Sequence, residues 1–245
     1  MMKRIAFFVE GYTEMLFVER LVVAIAGKNE VRIEELRIKG GRTVPKSIVT
    51  IRAADDDIGQ EYYVLIVDCG GDHQVRTRLG EEHHGLTIKG YEKIVCIRDV
   101  RPKFSREDIP KLYAGLRSGI DINLAPVDFI LSVMEVEAWF LAEFNHYAEI
   151  DPLITPHEIA SQLSFNPVVD DPALRDDPAS DLSLSYSIAG KTYSKGQASR
   201  TIDALDYAYI YTDLADRIPE LKRLVNHMDS FLTPPQLTQS PFGLS

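Results

Sequence analysis

The stretch Tyr62-Tyr63-Val64-Leu65-Ile66-Val67-Asp68-Cys69-Gly70-Gly71-Asp72 joins six consecutive apolar or aromatic residues to an acidic, glycine-bearing turn. An unbroken run this short has the pattern of a strand buried on both faces, as in a parallel sheet covered by helices on each side. The pattern recurs on either side of it. Ile5-Ala6-Phe7-Phe8-Val9 leads into Glu10-Gly11, Ile94-Val95-Cys96-Ile97 into Arg98-Asp99, and residues 127–134 into Glu135-Val136-Glu137. After the first run, Phe17, Leu21, Ala24 and Ile25 recur at helical spacing and predict an amphipathic helix closed near Gly27. Residues 33–38 alternate weakly, as a strand would; residues 44–54 are expected to form a helix before Asp55-Asp56-Asp57. Residues 74–82 and 106–116 are helix-compatible. Strands thus alternate with crossovers to about residue 147, which predicts an α/β domain over residues 1–147 with a largely parallel sheet flanked by helices.

Beyond Asp151 the composition changes. Thr155-Pro156-His157-Glu158 has the form of a helix start, with proline at the first helical position and Glu158 placed to reach back to the cap. Pro and Asp cluster over residues 166–180, which predicts an irregular connection, and apolar residues at helical spacing return at 202–214 and from Leu221 to Leu232. Residues 148–245 are therefore expected to be a mostly helical appendage packed on the first domain.

The chain has 245 residues, 45% of them hydrophobic and 26% charged, enough for a real core and too mixed for a disordered or fibrous protein. Its 27 Lys and Arg against 37 Asp and Glu leave a net charge of −10, so bulk electrostatics repels a polyanion. A nucleic-acid or nucleotide partner would need a local basic patch or divalent cations. Two cysteines, Cys69 and Cys96, lack the spacing that zinc requires and suit a reduced, cytoplasmic setting. The first apolar run is cut by Glu10, far short of the ~20 residues of a membrane span, so no membrane association is expected.

In an open α/β sheet, ligands sit outside the carboxyl ends of the strands. Four expected strands each bring an acid to that edge: Glu10, Asp68, Asp99 and the pair Glu135 and Glu137. Carboxylates gathered from distant segments repel unless they are protonated or share a cation. Oxygen-only ligands favour a hard ion, Mg²⁺ or Mn²⁺, over zinc. Each acid taken alone also fits a helix cap or a solvated loop.

The segment Val9-Glu10-Gly11-Tyr12-Thr13-Glu14 resembles the first motif of Toprim domains, in which a Glu ends the first strand before a glycine turn. Met134-Glu135-Val136-Glu137-Ala138-Trp139-Phe140-Leu141 resembles the E-x-E-x-W-x-L stretch of bacterial Toprim-like proteins similar to the OLD and RloB families, which are linked to phage defence. The resemblance covers about residues 1–147. It implies a Toprim fold, a Mg²⁺ or Mn²⁺ cofactor and phosphodiester chemistry, with Glu10 as general base or bridging ligand. The matching Asp-x-Asp position keeps Asp68 and lacks the second Asp, so Asp72, Asp99 or Glu137 is expected to complete the metal set with Glu10, Asp68 and Glu135. Two other functions fit the same residues: an inactive Toprim-like module that partners an ATPase, and a small-nucleotide phosphohydrolase.

A phosphodiester substrate calls for cations along its approach. Arg98 and Arg101 flank Asp99, with pairing to Glu107 or Asp108 as the alternative. Lys191, Lys195 and Arg200 belong to a locally basic segment bounded by Gly190 and Gly196 and can hold a phosphate or stay solvated. By its likeness to the active-site lysine of OLD nucleases, Lys195 is also a candidate catalytic residue. The Gly-Lys-Thr there lacks P-loop spacing. His73, His83 and His84 read as surface residues, and Trp139, Phe140 and Phe144 as core.

Overall fold

The computed structural model describes residues 2–27, 31–41, 44–54, 61–71 and 74–232, so Asp72 and His73 lie outside the described residues. Six strands form one sheet: β1 (Lys3–Val9), β2 (Val31–Lys39), β3 (Ser47–Arg52), β4 (Tyr62–Asp68), β5 (Lys93–Asp99) and β6 (Val127–Ser132). Their order is β3-β2-β4-β1-β5-β6, and every neighbouring pair is parallel except β2 and β3.

The unbroken apolar runs follow from this position. Along β1, Ile5, Phe7 and Val9 enter one core while Ala6 and Phe8 enter the other, so neither parity of the strand tolerates a polar side chain. Helix α1 (Tyr12–Ala26) covers the first face through Phe17, Val18 and Leu21. Helices α2 (Gln74–Ile88) and α3 (Ile109–Arg117) cover the second through Val75, Leu79 and Leu112.

The C-terminal third joins the first face. It comprises α4 (Glu137–Ala142), α5 (His146–Ile150), α6 (Pro156–Leu163), α7 (Pro178–Ser187), α8 (Ala198–Ala204) and the C-terminal helix Pro219–Leu232. Trp139, Phe140, Ile159, Leu182, Ile202 and Leu224 share a single buried cluster with Ile5 and Phe7. Residues after 147 thus build the outer layer on a core begun by the sheet. Thr155 caps α6, its Oγ1 accepting from the Glu158 N–H at 3.2 Å.

Three expectations are corrected. Residues 47–52, expected within a helix, form β3, because Ile48-Val49-Thr50-Ile51 are all β-branched and suit a pleated edge better than a helix. The connection over 166–180 is partly regular: Asp177 accepts the Ser180 N–H at 3.2 Å and starts α7 at Pro178. His83 is buried, its ring Nε2 2.8 Å from the Ala125 carbonyl oxygen. Among the described residues, no helix is long and apolar enough to cross a membrane.

Candidate metal centre and its cleft

Parallel pairing brings the strand ends level: Val9 lies opposite Asp68 and Asp99 opposite Ser132. The residues that follow therefore meet at one edge of the sheet. A cleft of about 630 Å³ opens there, with Glu10, Glu14, Asp68, Asp99 and Lys195 among its walls.

The tightest acidic group is Asp99, Glu135 and Glu137, whose candidate ligand oxygens all lie within 4.8 Å of one another. Each is fixed by the local fold. Asp99 ends β5, and its Oδ1 accepts the Val136 N–H at 3.0 Å, tying β5 to the turn after β6. Met134 in that turn takes φ 65°, a left-handed conformation that is unfavourable for a side chain of this size. It redirects the chain so that Glu135 and Glu137 both face Asp99. Glu135 Oε2 accepts the Ala179 N–H at 3.2 Å. Glu137 opens α4 with its side chain fully buried; its Oε1 accepts the Tyr193 hydroxyl at 2.7 Å, and its Oε2 has no hydrogen bond among the described residues.

One ammonium serves all three acids. Lys195 Nζ lies 3.1 Å from Glu135, 3.5 Å from Glu137 and 3.9 Å from Asp99. Burial would lower its pKa, but Glu137, Asp99 and Glu135 outweigh that and hold it above the usual lysine range. The acids move upward. Burial, then Glu14, Glu10 and Glu137, push the Asp99 carboxyl well above its ordinary value. Burial also raises Glu137, against the pull of Lys195 and the Tyr193 hydroxyl. Glu14, in the first turn of α1, is pushed up to about 7 by burial and by Glu137. Its Oε2 accepts the Gly11 N–H at 3.0 Å.

A buried set of carboxylates short of positive charge, with one oxygen lacking a hydrogen bond, fits a cation. Asp99, Glu135 and Glu137 can hold a metal ion, and their all-oxygen donor set suits a hard one.

The other residues expected at the site divide. Glu10 and Asp68 line the cleft but lie outside the three-acid group. Asp68 is taken by Arg37, whose Nε donates to Oδ2 at 2.6 Å, and by the Gly70 N–H at 2.9 Å. Arg98 is buried with its Nε 3.6 Å from Glu10 Oε1, so it faces an acid inside the protein. Arg101 pairs with Asp177 at 2.9 Å, Lys191 lies 3.7 Å from Asp151, and Arg200 donates to the Ile150 carbonyl at 3.3 Å. Of the basic residues proposed from the sequence to hold phosphate or take part in catalysis, Lys195 is the one that reaches the three acids.

Sequence reasoning assigned no role to Glu14, Tyr193 or Arg37. Glu14 stands inside the quoted Glu-Gly segment, but a glutamate in a first helical turn reads as a cap, which it also is. Arg37 sits directly opposite Asp68 in the β2–β4 register, a pairing that requires the strand order. Tyr193 lies two residues before Lys195 and carries no signal of its own. Comparisons with models of protein families, with curated proteins and with solved structures return no match.

Proposed function

We propose that this chain is a Mg²⁺- or Mn²⁺-dependent phosphodiesterase or phosphotransferase with a Toprim-like sheet, acting in the cytoplasm on a nucleic acid or nucleotide. The observation that carries the reading is the convergence of Asp99, Glu135 and Glu137, oxygens within 4.8 Å, beside an open cleft. These three residues would hold the ion. When bound, a divalent ion neutralises developing charge on a phosphoryl group and lowers the pKa of water.

The chain's own groups supply the remainder. Tyr193 orients the Glu137 carboxylate by donating to Oε1. Glu14, held near neutrality, is placed to accept a proton at Oε1 while Oε2 keeps the Gly11 N–H. That role replaces the one the sequence suggested for Glu10, which faces Arg98. Lys195 provides the counter-charge in the absence of an ion and is positioned to turn toward a substrate phosphate when an ion takes its place.

Incubation of DNA, RNA and nucleotides with Mn²⁺, wild type beside Glu137→Gln, tests this reading. Cleavage by the wild type that falls at least about 100-fold in the variant supports it. Equal activity in both, or none in either, removes it. A second reading, a catalytically silent module that partners an ATPase, is favoured by the seat Lys195 already occupies among the acids. Calorimetry showing no Mn²⁺ uptake by the wild type would select it.

A further inference from the structure

The cleft has a second wall that the metal chemistry does not use. Arg37 and Lys39 stand on the last residues of β2, and Arg78 reaches the same wall from α2. Arg37 uses Nε on Asp68, and its Nη groups have no hydrogen bond among the described residues. Lys39 is exposed and has no ion-pair partner among them. Arg78 is only 2% exposed; it donates to the Gly40 carbonyl and to Glu81, and its Nε has no hydrogen bond. The turn after β2 is built around that guanidinium. A Cβ on Gly41 would stand 2.8 Å from Arg78 Nη2, and Gly41 takes φ 114°. At the mouth, the Tyr12 ring is 44% exposed, with the Arg37 guanidinium 5.0 Å from its centroid.

In a protein of net charge −10, an arginine and a lysine with unused donors in one cleft mark a place for an anion. Its position decides which anion. It lies at the β2 end of the cleft, with β4 and β1 between it and Asp99 on β5, so a phosphate held there shares the cleft with the carboxylate group without touching it. An exposed tyrosine beside it offers a face on which a base can stack. The cleft's 630 Å³ falls within the ~300–1,000 Å³ of sites that enclose a small molecule, and the chain's charge opposes a long polyanion.

We propose that Arg37 and Lys39 bind the phosphate of a single phosphorylated nucleoside, free or at the end of a strand, with its base on Tyr12 and Arg78 as the positioning residue that shapes the turn. This rests on the metal-dependent reading for its purpose but not for its measurement, because Arg37 and Lys39 stand apart from Asp99, Glu135 and Glu137 and bind without an ion.

Equilibrium binding in EDTA tests it with thymidine 5′-monophosphate, thymidine, a 5′-phosphorylated single-stranded 12-mer and a blunt duplex. The monophosphate is expected to bind at least about tenfold tighter than thymidine, the value of one charge-assisted contact. Lys39→Gln and Arg37→Gln should each remove about that factor, and Tyr12→Leu should weaken the monophosphate severalfold. The 12-mer distinguishes a strand end from a free nucleotide: affinity above the monophosphate assigns the former, equal or lower affinity the latter. Lys39 is exposed, so Lys39→Gln reports on binding even if Arg37→Gln, which frees Asp68, unfolds. Equal affinity for thymidine and its monophosphate, unchanged binding in Lys39→Gln, or preference for the duplex overturns the proposal. Mn²⁺ calorimetry on wild type and Glu137→Gln reads the metal centre separately: phosphate binding without metal uptake removes the catalytic reading and leaves this one, and metal uptake without phosphate binding does the reverse.

Discussion

At the carboxyl end of β6, Glu135 and Glu137 share with Asp99 one ammonium, that of Lys195. Near the amino end of the same strand, Asp128 alone receives Arg223 and His227, with Arg117 4.0 Å away. Arg223 Nη2 donates at 2.8 Å to each of its oxygens, and His227 Nε2 lies 2.7 Å from Oδ2. Arg223 also takes the Phe129 carbonyl and the Tyr113 hydroxyl, so this second site fastens the C-terminal helix to the sheet. One end of the strand has more acid than counter-charge, and the other has its acid fully matched. Burial raises the carboxyls of Asp99 and Glu137. At Asp128, burial acts upward too, but His227 and Arg223 overcome it and hold the carboxyl well below the usual range. A matched acid is a fastening; a surplus of buried acid costs stability and makes physical sense when a ligand relieves it.

The largest expected effect separates the two ends by activity. Asp99→Asn or Glu137→Gln should lower Mn²⁺-dependent cleavage by at least about 100-fold with little loss of fold, because each removes a charge that is unfavourable without an ion. Asp128→Asn should leave turnover per folded molecule unchanged. Comparable losses at both ends would erase the distinction. Asp68→Asn is the intermediate case: Asp68 lines the cleft but is committed to Arg37, so a smaller loss than at Asp99 is expected.

The next contrast is in pH. Glu14 is held at about 7 in the folded chain against an ordinary 4.5, so folding favours its protonated form. The stability this gives is complete below about pH 4.5 and disappears as pH rises through 7, at most about 3 kcal/mol for a shift of this size. Asp99 and Glu137 shift in the same direction. Thermal melts should therefore show the protein more stable at pH 5 than at pH 8, with Glu14→Gln flattening the difference. Mn²⁺ should restore stability at pH 8 more than at pH 5. Asp128 has the opposite sign: its contribution is present above about pH 4 and is lost as pH falls through its depressed value. Asp128→Asn should cost about 2 kcal/mol at pH 7, a gap that closes in acid.

The contrast also marks what could be read without coordinates. Strands buried on both faces show as unbroken runs, and parallel pairing alone then places Glu10, Asp68, Asp99 and the Glu135–Glu137 pair along one edge. What the runs do not carry is strand order. Asp68 is answered by Arg37 because β2 lies beside β4, and the β-branched segment 48–51, expected in a helix, supplies the outer antiparallel strand. Lys195 was readable as one basic residue among several in a glycine-bounded segment. That it reaches the acids while Lys191 and Arg200 turn to α5 and its end depends on packing among helices whose apolar stripes do not encode direction.

The smallest expected effect concerns Lys195, whose ammonium reaches all three acids of the surplus end. Its ammonium lies among the same oxygens that would hold an ion, so the two compete for them. Lys195→Gln removes the competitor and the neutralising charge together. Calorimetry should then show Mn²⁺ binding tightened by about tenfold, roughly 1.4 kcal/mol, while the ion-free variant melts lower at pH 8 because three carboxyls, two of them buried, lose their shared partner. If the variant instead binds Mn²⁺ more weakly, Lys195 organises the acids for the ion. The surplus at this end would then be a feature of the metal-free state that the lysine corrects in advance, as Arg223 corrects Asp128 at the other.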